Sequence, residues 1–145
     1  RVAGPRLAWL RSGLMDIACF DDLLVAARSQ PEPQRLLLVF AAAECEPDAS
    51  AAQLRAHAAG EGGVLRPLMC VDKDPTELAD FAALQREAAQ AGPPWSLMFA
   101  AALAGASDAA EVQRMLDLLV KRVETGELTG LIPFNTAGDA VHLAR

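Results

Sequence analysis

The chain has no tyrosine, two histidines and only 5% aromatic residues among its 145 positions. A core must therefore gain its area from Leu, Val, Met and five Phe, and 30 alanines imply close rather than bulky packing. Three cysteines, Cys19, Cys45 and Cys70, are an odd count at wide spacing with no CxxC pair. That argues against a disulfide framework and against a zinc knuckle, and reads as reduced thiols. No apolar run approaches the roughly 20 residues of a membrane-spanning helix, and Arg1 to Gly13 lacks the apolar stretch of a secretory signal. A soluble cytoplasmic protein is the expectation. The formal charge of −6 and the lack of a basic run argue against nucleic acid and against an anionic membrane surface as partners. With 52% apolar and 22% charged residues, the balance is that of one globular domain.

The composition changes at Met15. Residues 1–14 hold Arg1, Arg6 and Arg11 and no acid, and read as an upstream leader without order of its own or, less simply, as a basic arm. Residues 15–145 read as a single α/β domain. Asp16 is placed to cap a first helix with Ile17, Phe20, Leu24 and Ala27 on one face. Beyond Pro31 and Pro33, Leu36 to Ala43 is an unbroken apolar run, as expected of a strand buried on both faces. Ser50 and Gln53 suggest a capping box for a short helix to Ala59, stopped by Gly60 to Gly63. Val64 to Val71 is a second strand, and Pro67 within it predicts an edge position or a bulge.

Asp74, Pro75 and Glu77 have the spacing of a helix start, with Leu78, Phe81, Leu84, Ala88 and Ala91 inward and Gly92-Pro93-Pro94 as the stop. Trp95 to Leu103 is a third strand, and its Leu97 to Ala102 nearly repeats Leu38 to Ala43. Ser107 starts a long helix with Val112, Met115, Leu116, Leu119 and Val123 on one face and Gly126 as its stop. Leu131 to Asn135 and Ala140 to Leu143 flank a turn and predict a C-terminal β-hairpin. The alternation of strands and helices predicts a three-layer α/β sandwich, a mainly parallel sheet in the order 2-1-3 with helices on both faces, followed by the hairpin. A thioredoxin-like or ferredoxin-like sheet is the alternative.

In such a sheet, ligands bind beyond the carboxyl ends of the strands. The loops expected there carry Glu44, Cys45 and Glu46, then Asp72, Lys73 and Asp74, then Gly105, Ser107 and Asp108. Gathered carboxylates suit a magnesium ion, and Lys73 with the helix N-termini suits an anion. The competing reading is structural, because Asp74 and Ser107 also serve as caps and acids are favoured at helix starts in any case.

Other motifs are weaker. Ser107 between a strand and a helix, followed by Asp139 and His142, has the order of a hydrolase triad, but Ala109 stands where the nucleophile motif has its second glycine. Gly60-Glu61-Gly62-Gly63 leaves a helix and enters a strand, the reverse of a phosphate cradle. Cys45 lies between glutamates and Cys70 in an apolar strand without a cation nearby, which disfavours a thiolate nucleophile. His57 and Cys45 lack a paired ligand motif.

From Met15 onward, FDDLLVAARSQPEPQRLLLVFAAAE, GEGGVLRPLMCVDKDPTELADFAALQREAAQAGPPW and LIPFNTAGDAVHL resemble a family of small proteobacterial proteins without an established function. Some of these carry the automatic label ribonucleotide reductase subunit alpha. The residues here do not support that label, which implies a far larger barrel with a radical cysteine, a redox cysteine pair and nucleotide sites. The resemblance implies a bacterial cytoplasmic domain and offers no catalytic residue to transfer. The expected function is thus a non-catalytic binding or accessory domain, with a protein partner or a second copy docking on a sheet edge. The alternative is a small Mg-dependent or anion-binding enzyme using the acidic rim.

Overall fold

The computed structural model describes residues 17–44, 64–105 and 108–142. Its elements in chain order are α1 (Phe20–Arg28), β1 (Gln34–Glu44), β2 (Val64–Lys73), α2 (Phe81–Ala91), β3 (Leu97–Ala104), α3 (Ala109–Thr125) and β4 (Ile132–Phe134). Asp16, the proposed leader, the short helix from Ser50 and the glycines at 60–63 lie outside the described residues.

The four strands form one sheet in the order β2-β1-β3-β4. Every neighbouring pair is antiparallel, which overturns the expected mainly parallel sandwich. The reason lies in what an apolar run encodes. Leu36 to Ala41 and Leu97 to Leu103 are buried because helices cover both faces of β1 and β3, and burial on two faces does not specify strand direction. The β2–α2–β3 unit does carry β2 and β3 in the same direction, but β1 is inserted between them and runs the other way. A helix linking two strands sets their relative direction and leaves open whether they are neighbours.

Alternation along β1 divides the core. Leu36, Leu38 and Phe40 join Met98, Ala100 and Ala102 beneath α1 and α2, where Phe20, Leu24, Phe81 and Leu84 close the layer. Leu37, Val39 and Ala41 join Phe99, Ala101 and Leu103 beneath α3, which contributes Val112, Leu116, Leu119 and Val123. The α3 stripe is the one its spacing predicts, apart from a half-buried Met115.

Pro67 meets both of its expectations. It sits on β2 at the end of the sheet order, and pairing jumps from Phe40–Met69 to Ala41–Pro67, leaving Leu68 as a bulge residue. The helix starts are displaced from their expected positions. Asp80, and not Asp74, caps α2 by accepting from the Ala83 N–H at 2.9 Å. Asp108 caps α3 in a reciprocal capping box with Glu111. Among the described residues, the C-terminal return is shorter than the expected hairpin: β4 is followed by a turn and a single Phe134–Ala140 bridge, and Leu143 lies outside them. That turn is tied back to the start of the domain, with the Phe20 N–H donating to the Gly138 carbonyl and Ala140 N–H to Ala18.

Candidate functional site

Reversing β1 changes which residues meet at the rim. The carboxyl ends of β2 and β3 lie beside the amino end of β1, where Leu36 pairs with Lys73 and Gln34 with Ala104. Glu44 pairs with Val64 at the opposite end of the sheet. Seven residues separate Glu44 from Leu37, the partner of Asp72, or about 23 Å at ~3.3 Å per residue. Glu44 is therefore not brought to Asp72 and Asp108, while Glu46, Cys45 and Ser107 lie outside the described residues.

The rim residues that do share this end have structural partners. Asp72 accepts an ion pair from Arg35 at 3.0 Å on the α3 face. Lys73 points to the other face and pairs with Glu87 of α2. Asp108 is held by its capping box. Both ion pairs are at least partly solvent-exposed, so each contributes no more than about 1 kcal/mol. Among the described residues, no group of three His, Cys, Asp or Glu side chains is placed to hold a metal ion. Asp139 lies in the β4 turn and His142 is exposed beyond the Ala140 bridge. The Cys70 thiol is pushed up by burial first and then by Asp117 and Asp72, which keeps it neutral near pH 7 and a poor nucleophile.

The same end of the sheet carries a half-open cleft of about 310 Å³. It lies between the C-terminal end of α1, the Pro31-Glu32-Pro33 segment leading into β1, and the turn after β2. Ala27, Arg28, Gln30, Glu32 and Gln34 form one side, and Asp74, Pro75 and Thr76 the other.

Two tethers hold the walls together. Arg28 reaches across to donate to the carbonyls of Pro75 (2.8 Å), Leu78 (2.6 Å) and Ala79 (3.2 Å). Asp21, at the other end of α1, accepts from the Phe81 N–H at 2.8 Å. Within the turn, Asp74 Oδ1 accepts from the Thr76 N–H (2.9 Å) and O–H (2.7 Å), while the Asp74 carbonyl accepts from the Glu77 and Leu78 N–H groups. This local bonding is why Asp74 closes a turn and the helix begins later.

Those two bonds from Thr76, the hydroxyl's first, outweigh an opposing desolvation and, with a lesser attraction from Arg35, hold Asp74 below the ordinary 3.8. Its contribution to stability is present above the unfolded value and lost as pH falls through the lowered folded value. We expect Thr76→Val to raise the Asp74 value toward 3.8 in a carboxylate NMR titration, lowering stability above that value and shrinking the share of stability lost through Asp74 on acidification. No movement of Asp74 would show that the hydroxyl does not set its charge.

The sequence reading placed Asp74 at the rim but missed the side of the cleft supplied by 27–34. The available signal was the Gln30-Pro31-Glu32-Pro33-Gln34 segment, which is polar and short of N–H donors just before a buried strand. Comparison with protein-family models, curated proteins and solved structures returns no match for this chain.

Proposed function

We propose that this chain is a non-catalytic binding domain and that its recognition site is the cleft between α1, the Pro31–Pro33 segment and the Asp74–Thr76 turn. The observation that carries the reading is the cleft itself, whose two walls come from distant parts of the sequence and are tied together by Arg28. Its volume is at the lower end of the range for small-ligand sites, enough for one side chain or a small metabolite. The ionisable rim groups Asp72, Lys73 and Asp108 are already engaged in ion pairs or capping, which favours binding over proton transfer.

The sheet edge supports the reading less well. β2 carries Pro67 and a bulge at Leu68, features that blunt strand addition. No helix among the described residues is long and apolar enough to cross a membrane. Together with the resemblance of its segments, this keeps a bacterial cytoplasmic domain as part of the proposal.

The test is amide NMR mapping of the chain with magnesium chloride, inorganic phosphate and capped single amino acids as probes. Saturable shifts concentrated at 28–34 and 74–76, with every probe recovered unchanged, are the expected result. Shifts confined to 64–71, or conversion of a probe into product, would overturn the reading.

A further inference from the structure

The hydrogen-bonding groups around the cleft are one-sided. Most of its side-chain donors are committed inside the protein: Arg28 directs Nε and Nη2 to three carbonyls, Thr76 gives its N–H and O–H to Asp74 Oδ1, Gln30 Nε2 donates to the Ala26 carbonyl at 3.2 Å, and Gln34 Nε2 to the Glu32 carbonyl at 3.2 Å. Pro31, Pro33 and Pro75 bring no N–H. Apart from Nη1 of Arg28, the side-chain groups left over are mainly acceptors. The Glu32 carboxylate makes no hydrogen bond or ion pair among the described residues, only Oδ1 of Asp74 is engaged, and the Gln30 amide oxygen takes no bond from a described residue.

The backbone adds to this bias. The C-terminal end of α1 borders the cleft, and the carbonyl end of a helix carries partial negative charge. An anion would face two carboxylates, with Nε and Nη2 of Arg28 already given to backbone carbonyls. A metal ion would need converging carboxylates, and no such group occurs among the described residues. A donor-only organic cation satisfies both constraints.

Building on the binding reading above, we infer that the cleft takes a guanidinium group, that of free arginine or of an arginine side chain on a partner protein. Guanidinium presents five N–H donors in a planar fork and no acceptor, which matches separate acceptors on two walls better than the compact ammonium of lysine does. The net charge of −6 favours approach of such a cation.

The experiment is an NMR titration of the full chain with Nα-acetyl-arginine amide, its neutral citrulline isostere, Nα-acetyl-lysine amide, a capped Gly-Arg-Gly peptide and inorganic phosphate. The arginine compound is expected to shift 30–34 and 74–76 saturably, with a Kd on the order of millimolar. Citrulline should bind at least ~10-fold more weakly, and about 0.5 M salt should weaken the arginine complex. Glu32→Gln, a change on an exposed loop, should weaken it roughly three- to tenfold while leaving amide positions outside the cleft unchanged. Tighter binding of the peptide than of the single residue supports an arginine on a partner chain, and equal binding supports free arginine. Citrulline or lysine binding as well as arginine would overturn the guanidinium assignment. Phosphate shifting the cleft when arginine does not would overturn it while leaving the binding reading intact, and a cleft that no probe shifts would remove both.

Discussion

Phe20→Ala is expected to destabilise the domain by about 3–5 kcal/mol, the usual range for removing a fully buried aromatic ring. Phe20 is 0% exposed and sits where three parts of the structure meet. Its ring is edge-on to Phe134 of β4, with centroids 5.5 Å apart, and tilted against Phe81 of α2 at 5.9 Å. Its backbone N–H also donates to Gly138 at 2.7 Å, so the surrounding chain is fixed and cannot close over the void. Such aromatic pairs add to area burial, which places Phe20 above an average core leucine. The measurement is chemical denaturation, with a fall in thermal midpoint of about 10–20 °C as its counterpart. Val25→Ala on the exposed side of α1, at 59% exposure, should stay within about 0.5 kcal/mol. A Phe20→Ala loss below about 1.5 kcal/mol would mean that the three elements do not depend on this ring.

Gly138→Ala is the second large effect, about 2–4 kcal/mol, from two causes that a control separates. Gly138 has φ +87°, a conformation costly for any residue with a Cβ. An added Cβ would also lie 2.7 Å from Phe81 Cδ2 and 2.9 Å from its Cγ. The Phe81 ring is itself buried against Phe20, so the clash must be relieved by moving the turn or the core. Gly126, at the end of α3, has φ +80° but nothing within 4 Å of its Cβ position. Gly126→Ala should therefore show the backbone cost alone, about 1 kcal/mol. Equal losses in the two variants by denaturant titration would remove the steric part of the argument.

Both positions stand at the contact between the β4 turn and α1, and neither is conspicuous in the sequence. Phe20 was legible as a core residue from its spacing with Leu24 and Ala27. Gly138 was legible as a turn glycine. That the turn lies against Phe81, nearly sixty residues away in the chain, was not, because a turn motif specifies local dihedrals and says nothing about what approaches it. The helix starts show the same division. Asp74 has every local mark of a cap, yet Thr76 is close enough to engage its carboxylate, and the helix waits for Asp80. Arg28 from α1 supports the later start by binding the carbonyls of Pro75, Leu78 and Ala79.

Local pattern alone established the α3 stripe, the two-sided burial of β1 and β3, and an edge position or a bulge for β2, because each follows from side-chain spacing or from the missing N–H of Pro67. The direction of β1 was settled by how strands pair across the sheet, a contact between segments that no local pattern records. The candidate site follows from that one reversal. With β1 inverted, its carboxyl end carries Glu44 away from the rim, and the Pro31–Pro33 segment arrives there in its place. Composition put acids into the chain; only the pairing of β1 with β2 and β3 chose Glu32 and Asp74 to face one cleft.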